Sequence, residues 1–306
     1  MFINVFRYLI DMEIKIKCVH CKSQNQIKKG FRKTEKRGRI QKYKCLNCFK
    51  FFTNDDGFYR MKNNEKIITR SIDAYLSNLS SRKMRDHLLR HDETKISHVS
   101  VLDWVRKYVL KVQKFVDNLN PQLSGKVYAD ETEIDCQKRK DIFWCAVDWE
   151  TRFINATLYS PKDQNMNDAI TFMRRIKESG IPQYVQTDAA VFYPKAFRKV
   201  FYNKTITGKG RTNRTLADHI INNVSKTKKH NVRIETVFSK IKGRVYDFRG
   251  FKALWSAPII MAGIILQHNY IQAHTSTRKL PCELAGLSLE AGVNRWLGLI
   301  KLSSTI

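Results

Sequence analysis

Two C-x-x-C pairs near the amino end constrain the fold more than any other feature of the sequence. Cys18 and Cys21 form the first pair, Cys45 and Cys48 form the second, and 23 residues lie between the pairs. Four thiolates on two tight turns can bind one tetrahedral zinc ion, which replaces the hydrophobic core that so short a segment cannot build. The spacing predicts a structural zinc ribbon over residues 15–55.

The other three cysteines, Cys136, Cys145 and Cys282, are scattered singly along the chain. Paired C-x-x-C motifs with isolated extra cysteines are typical of metal binding in a reducing compartment rather than of a disulfide framework. We expect a cytoplasmic, nucleoid-associated protein, and no second metal site at Cys136 and Cys145.

The balance of charge points to a polyanionic partner. The chain has 56 Lys and Arg residues against 28 Asp and Glu residues, for a formal net charge of +28. From Lys15 to Thr53 there are 13 basic residues and one acid, and the aromatic residues Phe31, Tyr43 and Phe49 interleave with them. Basic and aromatic residues together favour nucleic acid, with a merely solvated basic ribbon as the alternative.

A membrane is the weaker candidate partner. The longest apolar run, Ala257 to Leu266, is only half of the roughly 20 residues that a bilayer span needs, and it predicts a buried helix. Residues 1–14 are interpreted as an N-terminal extension. Met1 to Ile10 lacks the basic leader and small-residue cleavage site of a secretory signal.

Residues 64–119 have helical periodicity broken at two polar points, which predicts three helices. Ser80 or Ser81 can cap the second helix, and Ser97 or Ser100 the third. The arrangement predicts a helix-turn-helix DNA-binding domain whose last helix could enter a major groove.

A plain three-helix bundle is the alternative for this segment, with Trp104, Val105 and Tyr108 packed inward. If the segment binds DNA, basic residues on its second and third helices are candidates for contacting phosphates. The candidates are Arg82, Lys83, Arg85, Arg106 and Lys107.

After Pro121 the pattern changes to strands. Segments 126–137, 141–149 and 152–160 predict an antiparallel meander, 165–179 an amphipathic helix, and 183–188 a short strand. Strands followed by a helix and another strand make a mixed α/β sheet flanked by helices, which we place over residues 124–275.

The remaining segments are less regular. Residues 201–225 are polar, basic and punctuated by glycine, and they predict a loop. Helical periodicity returns at Asn231, and Trp255 to Ala273 predicts a second, buried helix. Residues 276–306 are expected to form an ordered tail that packs through Leu280, Leu284 and Leu287.

Three carboxylates stand where separate elements could bring them together. Asp130 lies inside the first strand of the meander, Asp188 at the end of the short strand, and Glu235 near the start of a helix. Phosphodiester cleavage without a covalent enzyme intermediate uses two divalent cations about 4 Å apart, and magnesium prefers carboxylate oxygens.

Each of these positions has an alternative interpretation. Glu131, Glu133 and Asp135 compete with Asp130, because strand alternation puts those three on the opposite face. Asp188 alone could be a turn former, and Glu235 alone could be a salt-bridge partner for a neighbouring basic residue. Periodicity does not choose between the two faces of the strand.

The segments YADET, QTDAAVFY and N-x-x-I-E-x-x-F-x-x-I-K-x-R resemble the catalytic signature of DDE transposases with a ribonuclease H-like fold. They are most similar to the insertion sequence six family and its archaeal relatives with an added zinc ribbon. The resemblance runs from about Cys18 to Leu287. The 47 positions from Asp188 to Glu235 make a longer gap than is usual in the family.

The resemblance implies that Asp130, Asp188 and Glu235 are the catalytic ligands of two Mg²⁺ ions, with Mn²⁺ able to substitute. It also implies that Lys242, two helical turns after Glu235, acts against substrate DNA, and Arg244 is a further candidate for DNA contact.

We expect a transposase that cleaves DNA at the ends of an insertion sequence and joins them to target DNA. Its partners would be the terminal inverted repeats, target DNA and a second copy of the chain in a homodimer or higher oligomer. The alternatives are a non-catalytic zinc-ribbon DNA-binding regulator and a structure-selective nuclease of the same fold.

Overall fold

The computed structural model describes residues 16–35, 38–54, 56–161, 165–207, 210–222 and 232–304. The predicted N-terminal extension, residues 1–14, lies outside them. The chain divides into two compact units, one made of residues 1–71 with 291–306 and the other of residues 72–290. The domain boundaries drawn from the sequence stay a prediction.

In chain order, the described strands are β1 Gln26–Thr34, β2 Gly38–Cys45, β3 Phe51–Thr53, β4 Lys126–Cys136, β5 Arg139–Asp148, β6 Ile154–Ser160, β7 Tyr184–Thr187, β8 Tyr202–Thr207, β9 Gly210–Thr215 and β10 Asp218–Ile221. The helices are α1 Glu65–Leu76, α2 Ser81–Asp92, α3 His98–Val116, α4 Met166–Glu178, α5 Phe192–Phe201, α6 Val232–Asp247, α7 Ala257–Leu266, α8 Pro281–Leu284 and α9 Arg295–Leu302.

The first unit contains the predicted ribbon. β1, β2 and β3 form a three-stranded antiparallel sheet. Its core consists of the buried residues Cys18, Tyr43, Cys45 and Phe52, and the two aromatic rings stack with centroids 5.6 Å apart. So small a core cannot by itself offset the entropy of ordering the segment, which is the condition under which a structural metal is needed.

The three predicted helices α1, α2 and α3 are confirmed. The Ser80 hydroxyl accepts a hydrogen bond from the Lys83 amide, and the Ser97 hydroxyl accepts one from the Val99 amide, so these two serines are the caps. Trp104, Val105 and Tyr108 of α3 are buried, as the bundle alternative required. DNA binding by these helices stays a prediction.

The second unit is built on a five-stranded mixed sheet in the order β10-β7-β4-β5-β6. β4, β5 and β6 are the predicted antiparallel meander, β7 runs parallel to β4, and β10 runs parallel to β7. The helices α4 and α5 cover one face through Phe172, Met173 and Phe197, which pack in one cluster with Trp144 of β5. This arrangement confirms the α/β, ribonuclease H-like class.

The prediction of a loop over residues 201–225 is wrong. The segment contains the hairpin β8–β9 and the edge strand β10. Its polar and basic residues show no apolar alternation, which is why the sequence did not indicate strands, and β10 is largely exposed. Backbone pairing joins β8 to β9 and β10 to β7. Residues 223–231, which include Ser225, lie outside the described chain.

A glycine turn fixes α6 against the far end of β4. After α6 the chain turns at Gly250, which has a φ of +72°. A Cβ there would lie 3.0 Å from the backbone oxygen of Asp135, so the close approach favours glycine. The Phe251 amide donates to the Asp135 carbonyl at 2.8 Å, and the Gln137 amide donates to the Phe251 carbonyl at 2.8 Å. These bonds hold α6 beside the strand that carries Asp130.

The predicted buried helix is α7, followed by a π-helical segment at Gln267–Ile271. The Asn269 side chain exchanges two hydrogen bonds, both 2.9 Å long, with the backbone of Ile154 at the start of β6. In the described part of the chain, no helix combines the length and the hydropathy that crossing a bilayer requires.

The predicted packing of the tail is only partly right. Leu280 is buried, but Leu284 and Leu287 are half-buried. Trp296, Leu299 and Ile300 of α9 are almost fully buried instead. The three leucines have helical spacing, but the helix there spans only Pro281–Leu284, whereas α9 is long enough to bury one face.

Candidate active site

The candidate site lies where β7 ends beside β4, so that one edge of β4 is no longer paired with a described strand. β7 pairs with β4 only from Lys126 to Tyr128 and ends at Thr187. Beyond that point Asp130 and Glu131 still pair with β5 on one side, and among the described strands nothing continues the sheet on the other. Asp188 follows β7 into this gap.

The gap brings three carboxylates together. One side-chain oxygen each from Asp130, Glu131 and Asp188 lies within 4.8 Å of the other two, and all three residues are half-buried. The Asp130 carboxylate accepts a hydrogen bond from the Glu131 amide at 2.9 Å, and the Asp188 carboxylate accepts one from the Ala190 amide at 3.0 Å. Backbone donors therefore hold two of the acids in place.

Glu131 is a site residue that sequence reasoning placed elsewhere. Strand alternation assigned it to the face opposite Asp130, together with Glu133 and Asp135. Those two are indeed exposed, and Asp135 forms an ion pair with Lys140 at 2.7 Å. Because the sheet is open beside Asp130 and Glu131, side chains from both faces reach the same space.

The partner of Glu131 is Tyr193 of α5, whose hydroxyl donates to the carboxylate. Tyr193 is fully buried, and its ring meets that of Trp144 edge to face with centroids 5.9 Å apart. Burial and the neighbouring carboxylates raise the Tyr193 pKa well above its usual value, so the phenol remains a donor. The sequence could have indicated Tyr193, because it is the last residue of the QTDAAVFY segment.

Glu235 lies outside this 4.8 Å group but acts on it electrostatically. It is exposed in the first turn of α6. Burial raises the pKa of Asp130 to about 6, and the charges of Asp188 and Glu235 add to the effect, while the Glu131 amide and Lys242 oppose it. The three carboxylates expected to act together therefore share one electrostatic environment, and Lys242 belongs to it as well.

The donor set fits a divalent metal ion. All the side-chain donors are carboxylate oxygens, which hard cations such as Mg²⁺ prefer. The raised Asp130 pKa shows that burial and like charge leave the ionised cluster without full compensation, and a bound cation would supply it. The observed cluster consists of Asp130, Glu131 and Asp188, with Glu235 nearby.

The four ribbon cysteines fit a zinc ion. Their sulfurs lie within 4.8 Å of one another, with Cys18 to Cys48 at 3.7 Å and Cys21 to Cys45 at 3.5 Å. Tetrahedral zinc with bonds of about 2.3 Å separates its sulfurs by about 3.8 Å. A hydrogen bond from the Cys48 amide lowers the pKa of Cys45 to about 6, whereas burial and hydrogen bonds with the other three cysteines raise the pKa of Cys21 to about 12.

The residues expected to contact DNA fall into different environments. Arg82, Lys83 and Lys107 are exposed, and Arg85 is paired with Asp86 at 2.6 Å. Arg106 contacts Asp103 at 3.6 Å and its guanidinium lies over the Trp255 ring, 4.5 Å from the centroid, so packing alone accounts for it. Arg244 is half-buried and lies on a different face of α6 from Lys242.

Comparison with known families identifies the second unit. Residues 124–274 match the family model of a DDE domain, that of IS240-type transposases. The match to this DDE domain model covers 151 of the 306 residues of the chain. The matched region contains the open sheet edge, Tyr193 and all four carboxylates, so the domain is of the nuclease and transposase type. No curated protein matches the sequence.

Solved structures similar to the chain include retroviral integrases. The HTLV-2 integrase catalytic core domain in complex with magnesium, in its trimeric form, is 13% identical with a TM-score of 0.37, over 54% of this chain and 97% of that one. The matching chain of a simian T-cell lymphotropic virus intasome, solved with the PP2A regulatory subunit B56 gamma, is 11% identical with a TM-score of 0.41, over 71% and 75%.

Proposed function

We propose that this protein is a transposase that cuts DNA at the ends of an insertion sequence and joins the freed ends to target DNA. The observation that supports this most directly is the convergence of Asp130, Glu131 and Asp188, with Glu235 nearby, inside a DDE domain. The zinc ribbon and the net charge of +28 suit a protein whose substrate is DNA.

Asp130, Asp188 and Glu235 hold Mg²⁺ in this proposal, and Glu131 contributes a fourth carboxylate that Tyr193 orients. Bound magnesium supplies Lewis-acid activation of the attacking oxygen and stabilises the leaving oxygen. Lys242 places a positive charge beside the acids, where a phosphodiester must approach a negatively charged cluster. Two ions, with Mn²⁺ able to substitute, suit the number of carboxylates.

The amino-terminal ribbon, with zinc on Cys18, Cys21, Cys45 and Cys48, contacts the terminal inverted repeats together with the helices α2 and α3. Exposed Arg82, Lys83 and Lys107 are the basic side chains best placed for phosphate contact. Two ends must be brought together for joining, so the active form is a homodimer or larger assembly. The reaction takes place on cytoplasmic, nucleoid DNA, where thiols stay reduced.

A strand-transfer assay tests the proposal. Labelled duplexes are made from the inverted repeats that flank the coding frame and are incubated with the protein, Mg²⁺ and a plasmid target. Asp130→Asn is expected to lower cleavage by about a thousandfold, since one metal ligand is worth several kcal/mol of transition-state stabilisation. Glu133→Gln removes an exposed carboxylate from the same strand and is the matched control.

Three outcomes separate the candidate functions. Cleavage followed by covalent joining to the plasmid supports the transposase. Cleavage without joining, on any DNA target, indicates a structure-selective nuclease. DNA binding that is unchanged by Mg²⁺, with no cleavage by the wild-type protein, indicates a regulator.

A further inference from the structure

Helix α6 carries a second set of charged residues on the side away from Glu235. Arg233, Lys240 and Arg244 follow the spacing of one helical face. At about 100° per residue, the three basic positions lie roughly 140° to 180° around the helix axis from Glu235. The helix therefore faces the acidic cluster with one side and presents cations on the other.

Two cavities lie along this basic face. The first has a volume of about 330 Å³, and the second, of about 340 Å³, shares Lys240 and His268 with it. No carboxylate lines either cavity among the described residues. The cationic and titratable side chains that line them are Arg152, Arg233, Lys240, Arg244, His268 and His274.

The cations of these cavities are poorly compensated within the described chain. Arg233 lies over the Trp149 ring, 3.4 Å from its centroid, rather than against an acid. The Nε atom of Arg152 and the Nη1 atom of Arg244 are buried and have no hydrogen-bond partner in the described part of the protein. Buried guanidinium groups in that state are costly unless an anion joins them.

Four carboxylates act on the cations of the cavities without lining either cavity: Asp148 and Glu150 act on Arg233, and Asp73 and Asp247 act on Arg244. Asp148 accepts hydrogen bonds from the hydroxyls of Ser124 and Thr151, both at 2.8 Å. Glu150 forms an ion pair with Lys126 at 2.5 Å. All four acids reduce the local positive charge.

The titration of the lining groups agrees with this picture. Burial, with repulsion from Arg152, lowers the pKa of Arg233 to about 10. Burial lowers the pKa of His274, and Lys240, Arg152 and Arg233 all act in the same direction. The cations on α6, in the turn after β5 and in the segment after α7 therefore repel one another across the same space.

We propose that the two cavities form a phosphate-binding groove for the backbone of DNA, on the side of α6 opposite the acidic cluster. Guanidinium forks and an ammonium group converging on a space of this size match phosphate oxygens better than any neutral ligand. The assignment of DNA rather than a free anion rests on the proposed function. An acidic peptide and inorganic phosphate are the competing occupants.

The dependence of DNA affinity on salt tests the groove. Arg233→Gln and Lys240→Gln are compared with Arg174→Gln, which removes one exposed charge from α4 outside the cavities. Binding to a labelled duplex is measured without divalent cations across a salt series. Removing one phosphate contact lowers the slope of log affinity against log salt by about 0.9, so both groove variants shift and the control does not.

A stability measurement guards against misfolding as the cause. Removing an uncompensated cation relieves repulsion, so Lys240→Gln is expected to raise the Tm of the DNA-free protein. A side chain with a purely structural role would lower it. Reduced DNA affinity together with a raised Tm is the result that the groove requires.

Other outcomes overturn the inference. If both groove variants keep the salt slope of the wild type and the wild type still cleaves and joins DNA, the groove does not bind DNA and the proposed function is unaffected. If inorganic phosphate or a polyglutamate peptide raises the Tm of the wild-type protein and the DNA salt slopes of the variants are unchanged, that ligand occupies the groove instead of DNA. If the groove variants have lower salt slopes but the wild-type protein never cleaves DNA, the groove binds DNA and the proposed transposase activity is wrong.

Discussion

At the scale of single residues, the acidic cluster opposes stability in the absence of metal. Asp130 is half-buried beside Glu131 and Asp188, and the main donor on its oxygens is one backbone amide. An ionised carboxylate in such surroundings costs free energy, which a bound cation or a proton offsets. The site is therefore arranged for its ligand rather than for the apo fold.

Asp130→Asn should stabilise the protein when metal is chelated. The folded pKa of about 6 lies above the ordinary 3.8, so the folded state binds the proton more tightly than the unfolded state. Wild-type stability consequently falls as pH rises from about 4 to about 6 and stays lower above that. We expect the variant to be more stable by up to about 3 kcal/mol at pH 7.5, with no difference below pH 4.

Urea unfolding in EDTA across this pH range measures the effect, with Glu133→Gln as the carboxylate control. A variant that is less stable than the wild type at pH 7.5 would contradict the description of the cluster.

Tyr193→Phe should weaken metal binding without removing a ligand. The hydroxyl holds Glu131, and losing an outer hydrogen bond of this kind typically costs tenfold or more in metal affinity. Mn²⁺ affinity measured by electron paramagnetic resonance should fall about tenfold. Tyr159→Phe is the matched control, because its hydroxyl donates to Asp141 at 2.6 Å on another part of the sheet. Equal Mn²⁺ affinities in the two variants would exclude a role for Tyr193.

At the residue level, the sequence motifs pointed to Asp130 and Asp188, whereas Glu131 enters the cluster only through the three-dimensional geometry. Asp130 and Asp188 follow from their place on strands, and the structure brings them together. Alternation places Glu131 on the face opposite Asp130, and the strand pattern alone does not show that both side chains reach the open edge of the sheet. The early end of β7 is a tertiary fact that the pattern of β4 does not contain.

At the scale of secondary-structure elements, segments with clear hydrophobic periodicity were predicted from the sequence, and segments without it were not. The meander β4–β6 and the helices α1–α3 carry clear periodicity and were predicted. The hairpin β8–β9 and the edge strand β10 were predicted as loop, because their sequences have no alternation of apolar and polar residues. The two C-x-x-C pairs needed no periodicity, since ligand spacing alone specifies a zinc ribbon.

The ribbon should depend on its metal while the DDE domain should not. We expect one zinc ion per chain, and its removal by a chelator should abolish amide protection in β1–β3 but not in β4–β7. Zinc binding to small sites is worth about 10 to 16 kcal/mol, far more than the few buried residues of this core can supply.

Hydrogen exchange and metal analysis measure both expectations. Cys45→Ser should lose the zinc, whereas Cys282→Ala, which removes a buried cysteine outside the cluster, should retain it. Retained protection in β1–β3 after complete zinc removal would show that the ribbon folds without metal.

At the scale of the whole molecule, the distribution of charge separates holding DNA from cutting it. Basic residues outnumber acidic residues twofold along the chain, whereas the candidate catalytic residues form a small acidic cluster. Long-range electrostatic attraction brings the DNA backbone to the protein surface. The acidic cluster can accept a phosphodiester only when bound cations neutralise its negative charge. DNA binding should therefore tolerate metal removal, whereas cleavage should not.

Joining also requires two DNA ends in one assembly, and this gives the last prediction. When the protein is mixed with end duplexes of two different lengths, in Ca²⁺ so that no cleavage occurs, native gels should resolve three paired complexes, including one that contains both lengths. Because many phosphates are held electrostatically, the paired species should disappear between about 50 and 200 mM salt before single-end binding is fully abolished. A duplex of scrambled end sequence should bind weakly and form no mixed complex. If only single-end complexes form at every protein concentration, the protein acts on one end at a time, and the expected homodimer is wrong.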